Sequence, residues 1–297
     1  MKRAYILFMV AFFVFGRTSA ADEVNTTLDG LTLNAELEAT ETWPTDPVVL
    51  LTHGTLAHRG MEIISGLQAM LAERGLSSLA INLSLGIDGR PAAMYDCPTP
   101  HTHEHTDAVN EITTWVGWLK DQGVQRIALL GHSRGGNQAA RYAAGQPDPA
   151  VGQLVLIAPQ TWDEDYAAKD YAQRYETSLQ PVLAQAQALV SAGKGGEMMG
   201  PIGFIYCKDT RASADAVVSY YMPDPDMDTP HLFPRIGIPV TVFAGTEDKV
   251  VTGLIEKTEP LADGEKIELV VLDGADHFFR DLYSEEIADV LAERVGE

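Results

Sequence analysis

Basic residues are scarce in this 297-residue chain, which carries 21 Lys and Arg against 42 Asp and Glu and has a net charge of −21. A surface with that charge repels the phosphate backbone of nucleic acids, so we expect no nucleic-acid partner. Apolar residues still make up 45% of the chain. That content is enough for the core of one large α/β domain and argues against a disordered chain.

Long apolar segments are also missing. The apolar run Ala4–Phe15 follows a basic start and precedes small residues that end at Ala21. A membrane-spanning helix needs about 20 apolar residues, whereas a short run between basic and small residues is typical of a secretory signal. We therefore expect residues 1–21 to be a signal peptide, with an uncleaved anchor as the alternative. The mature protein is then exported, periplasmic or secreted, without a membrane span.

Cysteine is nearly absent, since the chain has only Cys97 and Cys207. An oxidising compartment permits disulfides, and two cysteines can pair in only one way. The sequence does not show that the two side chains meet. A Cys97–Cys207 disulfide and two free thiols therefore both stay open.

Strand-like and helix-like segments alternate along residues 22–297, and no internal repeat is found. This alternation predicts a mostly parallel sheet flanked by helices. Strands are predicted at 31–40, 47–52, 79–83, 127–130, 154–158, 240–244 and 267–272, the first as a half-buried edge strand. Helices are predicted at 63–74, 104–120, 133–144 and 284–294.

Residues 160–236 break this rhythm. Helices are predicted at 166–178 and 181–192, followed by a tract rich in Gly and Pro without a clear strand. We interpret the segment as a helical cap inserted over the carboxyl edge of the sheet. An ordinary decorated crossover between two strands is the alternative.

Ser133 lies in the stretch "ALLGHSRGGNQAARYAA", between a predicted strand and a predicted helix. Its pattern G-x-S-x-G needs small residues because the chain turns sharply there, and such a turn exposes the serine hydroxyl. The following helix N-terminus favours developing negative charge. We predict that Ser133 is a nucleophile; a purely structural tight turn is the alternative.

A serine nucleophile needs a base and a carboxylate that orients the base. His277 follows strand 267–272 in "DGADHFFRD", and Asp248 follows strand 240–244 in "FAGTEDKVV". We predict that His277 is the base and Asp248 its orienting acid. A surface histidine and the neighbouring Glu247 are the alternatives. His132, beside the serine, is predicted to be a packed structural residue.

These residues resemble the α/β-hydrolase family, in which nucleophile, acid and base follow the order Ser133, Asp248, His277. "LLTHGT" at 50–55 is similar to the oxyanion segment of that family. The resemblance implies an α/β-hydrolase fold with a cap at 160–236 and an oxyanion hole made by the backbone N–H groups of Thr55 and Arg134. The loop "NLSLGIDGRPAAMYDC" departs from the commoner branches, so no subfamily is assigned.

The function predicted from these motifs is a serine hydrolase that forms an acyl-enzyme, most readily a carboxylic-ester hydrolase acting on a small-molecule or lipid-like ester. It needs no cofactor. An amidase, a peptidase or a thioesterase on the same triad is an open alternative, because fold and triad serve all of them. A non-catalytic binding protein on the same fold is a further alternative.

The segment "PHTHEHTD" is a competing signal for metal chemistry. His101, His103 and His105 occupy alternate positions, and three imidazoles can bind zinc. A helix predicted from residue 104 would break the alternation, and the spacings of known zinc motifs are absent. We therefore predict a polar loop near the mouth of the pocket and no metal.

Overall fold

The computed structural model describes residues 21–296. The predicted signal peptide thus lies outside the described residues except for Ala21. The strands are β1 (Asp22–Leu28), β2 (Leu31–Glu38), β3 (Val48–Thr52), β4 (Ser77–Asn82), β5 (Ile127–His132), β6 (Val151–Ile157), β7 (Met198–Phe204), β8 (Cys207–Ser213), β9 (Val240–Gly245) and β10 (Ile267–Leu272). The helices are α1 (Glu62–Glu73), α2 (Asp107–Asp121), α3 (Arg134–Ala144), α4 (Glu164–Tyr175), α5 (Leu179–Ser191), α6 (Ala214–Tyr221), α7 (Thr229–Leu232), α8 (Leu254–Thr258) and α9 (Leu282–Gly296).

The centre of the molecule is an eight-stranded sheet in the order β1-β2-β4-β3-β5-β6-β9-β10. The six strands from β4 to β10 in that order run parallel, while β2 is antiparallel to β4 and β1 is antiparallel to β2. A mostly parallel sheet is therefore confirmed. The prediction that 31–40 is an edge strand is wrong, because β2 lies between β1 and β4. The edge strand on that side is β1, whose mostly polar sequence does not indicate a strand.

Both faces of the sheet are covered by helices. Val48 and Leu50 belong to one buried cluster with α2 and α3, whereas Val49 and Leu51 belong to the other with α1 and α9. Successive residues of a strand point to opposite faces, so a continuous apolar run such as β3 supplies both cores. Among the described residues, no helix combines the length and the apolarity needed to cross a bilayer.

The chain between β6 and β9 holds four α-helices, α4 to α7, and a separate two-stranded sheet of β7 and β8. The helices predicted at 166–178 and 181–192 correspond to α4 and α5. The prediction of no strand in this segment is wrong, because β7 and β8 form an antiparallel pair. Their pairing contains register shifts, so apolar and polar residues do not alternate regularly along the two strands.

A disulfide joins Cys97 to Cys207, with Cα atoms 5.3 Å apart. Of the two alternatives left open, the disulfide is therefore the one observed. It ties the loop after β4 to the first residue of β8, next to the turn at Ile205 and Tyr206. The same loop is held by His101, which forms a bridge with Ala212 of β8.

Candidate active site

Ser133 sits on a sharp turn between β5 and α3. Its φ of 57° and ψ of −124° lie in a region that L residues rarely adopt. The turn is tight: a Cβ on Gly131 would meet the backbone of Gly135, and one on Gly135 would meet the backbone of His53, both well inside 3.0 Å. Glycine at these positions lets the strand, the helix and the 53–55 loop converge on the serine.

His277 lies between Ser133 and Asp248. Its Nδ1 is 2.8 Å from Asp248 Oδ2, and its Nε2 is 3.0 Å from Ser133 Oγ. Because the carboxylate can only accept, Nδ1 carries the proton and donates it, which leaves Nε2 to accept from the serine hydroxyl. The structure thus brings together the three residues predicted from sequence, in the geometry of nucleophile, base and orienting acid.

Asp248 is held in place from both oxygens. Its Oδ1 accepts the backbone N–H groups of Val250, at 2.8 Å, and Val251, at 2.9 Å. Burial alone would raise the pKa of Asp248, but the hydrogen bond and charge of His277, with these two N–H groups, hold that pKa below its usual value. The neighbouring Glu247 points away, with 62% of its side chain exposed beside Lys249.

The 53–55 loop lies against Ser133, since a Cβ on Gly54 would come within 3.1 Å of Ser133 Cβ. Within residues 21–296, the backbone N–H groups of Thr55 and Arg134 have no acceptor in the protein. Two such donors flanking a nucleophile are what an oxyanion hole requires. Arg134 follows Ser133 in the chain and Thr55 belongs to the loop that lies against it, so both predicted donors are near the serine and unpaired within the described residues.

Two buried histidines support this arrangement. His53 donates from Nδ1 to the Gly54 carbonyl and accepts the Leu83 N–H at Nε2, and burial lowers its pKa to about 3. His132 donates from Nε2 to the backbone carbonyl of His277 at 2.9 Å. His132 is therefore a packed structural residue, as predicted. The role of His53 was missed, because nothing in "THGT" shows which atoms its ring contacts.

The Arg134 side chain also belongs to this site. Its Nε donates to Thr55 Oγ1 at 2.9 Å, and its guanidinium carbon lies 5.1 Å from the centre of the Tyr220 ring. A third contact joins Arg134 Nη1 to Nδ1 of His105 at 3.3 Å. The sequence could not show the partners of this side chain, because they come from distant parts of the chain.

The three alternating histidines are not at the surface. The helix predicted from 104 begins at Asp107, so His101, His103 and His105 keep their alternation, and each is at most 1% exposed. The segment is thus a loop, as predicted, but it is buried, so its predicted place at the mouth of the pocket is wrong. Burial lowers the pKa of His101 to about 4 and of His103 to about 3, which keeps both rings neutral. The neutral rings pack against aromatic side chains: His101 contacts Phe204, and His103 and His105 contact Tyr220.

Among the described residues, no group of three or more His, Cys, Asp or Glu side chains is arranged to hold a metal ion. Five of the six ring nitrogens of the histidine cluster are instead hydrogen-bonded to protein, whereas His101 Nε2 is buried without a partner among the described residues. His103 lies 3.2 Å from His101 and 2.9 Å from the Tyr220 hydroxyl, and His105 Nε2 donates to Asn137 at 2.8 Å. The cluster thus forms a hydrogen-bonded link between the disulfide-held loop and α3.

Two cavities open on Ser133. The first has a volume of about 310 Å³ and is lined by His277 and mostly by apolar side chains, including Met61, Ile64 and Met94. The second has a volume of about 140 Å³ and is lined by Arg134 and by aromatic side chains of the segment between β6 and β9. The serine therefore faces two spaces of different chemistry.

A family model described as the alpha/beta hydrolase family matches residues 48–290. That span includes all three members of the Ser133, Asp248 and His277 cluster. No curated protein sequence matches the chain.

Solved structures with the same architecture include Est1E from Butyrivibrio proteoclasticus, at 18% identity and a TM-score of 0.61, covering 92% of this chain and 96% of that one. The monoacylglycerol lipase of Paleococcus ferrophilus has 20% identity and a TM-score of 0.60, covering 89% and 98%. The Pyrococcus furiosus esterase Pf2001 has 18% identity and a TM-score of 0.56, covering 94% and 91%. At this identity the likeness concerns the fold, and it confirms the predicted α/β-hydrolase fold.

Proposed function

Because this chain belongs to the alpha/beta hydrolase family, we propose that it is a serine hydrolase that cleaves carboxylic esters through an acyl-enzyme. The observation that carries the proposal is the continuous hydrogen-bond chain from Ser133 through His277 to Asp248. That chain supplies a nucleophile, a base and an orienting carboxylate. Esterases and a lipase share its fold, which supports ester substrates without fixing one.

In the acylation step, Ser133 Oγ attacks the carbonyl carbon of the ester while its proton passes to Nε2 of His277. The carbonyl oxygen becomes negative and accepts hydrogen bonds from the N–H groups of Thr55 and Arg134. The C–O bond to the alcohol then breaks, and His277 gives its proton to the departing oxygen. The products are the free alcohol and an ester of Ser133.

In the deacylation step, a water molecule gives a proton to His277 and attacks the Ser133 ester. The bond to the serine oxygen breaks, the proton returns to Oγ, and the carboxylic acid leaves. Asp248 stays ionised throughout, because its lowered pKa keeps it a carboxylate. It stabilises the imidazolium that forms in both steps.

We further propose that residues 160–236 act as the cap and that the mature enzyme is exported. The second cavity joins Ser133 to side chains of this segment, which supports a role in substrate selection. The disulfide supports an oxidising compartment, where such bonds persist. The basic and apolar start of the chain, followed by small residues, is the sequence observation behind export.

Hydrolysis of a short 4-nitrophenyl ester by the purified mature protein tests the proposed function. Ser133→Ala removes the nucleophile and should lower kcat/KM by at least about 10³-fold. Ser65→Ala is the matched control, because Ser65 is exposed on α1 and its hydroxyl bonds, among the described residues, only to the Met61 carbonyl. Activity of the Ser133 variant close to that of the control would contradict the proposal.

A further inference from the structure

The two cavities meet at the nucleophile. Ser133 lines both, and so do Tyr206 and Val250, which form the boundary between them. An ester bound at Ser133 has two halves that leave its carbonyl carbon in different directions. The two cavities can therefore take one half each.

The first cavity suits an apolar chain. Its wall contains no Asp, Glu, Lys or Arg, and the only ionisable groups among its described residues are the ring nitrogens of three histidines and the Tyr206 hydroxyl. Burial lowers the pKa of His53 and of His132 to about 3, so those two rings are neutral. An apolar half-substrate would be removed from water there without an unpaired charge.

The second cavity suits one aromatic ring. Its volume of about 140 Å³ is close to the ~150 Å³ that accommodates benzene in an apolar protein cavity. Its wall includes one tryptophan and six tyrosines: Trp162, Tyr166, Tyr171, Tyr175, Tyr206, Tyr220 and Tyr221. Aromatic side chains pair favourably with a ring placed edge-on or offset against them.

Arg134 gives this second cavity a positive charge without a counter-ion. No carboxylate of the described residues lies within 4.0 Å of its guanidinium, although the chain is strongly acidic. The other arginine of the cavity, Arg174, is paired with Asp170 at 2.9 Å. Asp163 faces the same space, but its side chain accepts the Tyr166 N–H as the N-cap of α4.

The Arg134 side chain is also held in one place with donors to spare. Thr55 and His105 accept from two of its five N–H groups, and the Tyr220 ring supports its face. Three N–H groups have no acceptor among residues 21–296. A fixed guanidinium with free donors matches a carboxylate, which can accept two parallel hydrogen bonds.

We infer that the preferred substrates are esters of an apolar acid with a phenol that carries a ring carboxylate, and that Arg134 binds this carboxylate in the second cavity. The inference rests on the proposed function at the same serine. It assigns to the Arg134 side chain a selectivity role separate from the oxyanion role of its backbone N–H.

Two matched substrates test this assignment. The first is 4-(hexanoyloxy)benzoate, and the second is its neutral twin 4-(hexanoyloxy)benzamide, with product release followed by chromatography. The wild-type enzyme should favour the carboxylate in kcat/KM by roughly ten- to hundredfold, the range expected of a charge-assisted hydrogen bond. Equal rates, or a preference for the neutral twin, would overturn the inference.

Arg134→Gln should abolish that preference, mainly through KM for the carboxylate substrate. Comparing the two substrates within one variant cancels any change in the chemistry common to both. Arg126→Gln is the matched control, because Arg126 is exposed and precedes β5 at the end of the strand opposite Ser133. A preference that survives in the Arg134 variant would overturn the assignment.

Two further readouts keep the test decisive. If Arg134→Gln does not fold, the wild-type preference should still fall several-fold as added NaCl screens the charge pair, and a preference independent of salt would overturn the inference. If the wild-type enzyme cleaves neither ester, the proposed function fails on these substrates, and calorimetry with 4-hydroxybenzoate decides the binding question. Binding that is at least about tenfold weaker in the Arg134 variant supports the inference, and no binding to the wild type overturns it.

Discussion

Glu111 gives the most quantitative prediction, because this carboxyl is buried where the structure cannot hydrate its charge. It lies on α2, is 3% exposed, and accepts the N–H and hydroxyl of Ser84 at 2.9 Å and 2.6 Å. Burial raises the pKa of Glu111 to about 7, against the opposing effects of the Ser84 hydrogen bonds and the charge of Arg90. The same carboxyl has a pKa of 4.5 in the unfolded chain. At a pH between these two values, the folded protein therefore keeps a proton on Glu111 that the unfolded chain has released.

The sign of the effect follows from that difference. The contribution of Glu111 to stability is fully present below pH 4.5 and is lost as the pH rises through about 7. With each pKa unit worth about 1.4 kcal/mol, the complete loss is about 3 kcal/mol. Between about pH 5.5 and about pH 8, the part that is lost is roughly 2 kcal/mol.

Glu111→Gln isolates this contribution, because the amide stays neutral at every pH and keeps an oxygen for the Ser84 N–H. The free energy of unfolding, measured with urea by circular dichroism, should fall relative to the Gln variant by roughly 2 kcal/mol between about pH 5.5 and about pH 8. Glu73→Gln, at an exposed carboxyl of α1, controls for the loss of one negative charge. A wild-type minus Glu111→Gln difference that is the same at both pH values would refute the argument.

Three further predictions concern the site and the frame that holds it. Asp248→Asn should lower kcat by roughly 10³- to 10⁴-fold in an ester hydrolysis assay, while Glu247→Gln should stay within about threefold of wild type. Gly135→Ala should lower both kcat and Tm, because the added Cβ would displace the His53 backbone and with it the 53–55 loop. An unchanged kcat would contradict the importance of the close contact between Gly135 and His53. Replacing both cysteines by alanine should lower the free energy of unfolding by up to about 4–5 kcal/mol, since the bond spans a sequence separation of 110 residues.

The sequence was sufficient to predict the parallel sheet and to place the three candidate catalytic side chains after its strands. Ser133, Asp248 and His277 each follow a strand, and the carboxyl ends of parallel strands meet at one edge of the sheet, so local patterns were enough. The β7–β8 hairpin and β1 were not predictable in the same way. Their residues show no regular apolar alternation, and pairing with distant parts of the chain decides their conformation.

The surroundings of the site depended on contacts that only the folded chain shows. The alternation of His101, His103 and His105 was visible in the sequence, but its interpretation assumed a helix that began too early. Imidazoles can be buried when they are neutral and bonded, and here the partners include Tyr220, more than 110 residues away. The same long-range packing places the Arg134 side chain, so its environment could not be read from "GHSRGG" alone.

The most direct test of the central claim is the identity of the residue that a fluorophosphonate probe labels in the purified mature protein. Peptide mass spectrometry should place the adduct on Ser133, and Ser133→Ala should remain unlabelled. His277→Ala should react far more slowly, because the base that activates the hydroxyl is then missing. An adduct on another residue, or none on the wild-type protein under conditions in which it hydrolyses an ester, would contradict a nucleophilic Ser133.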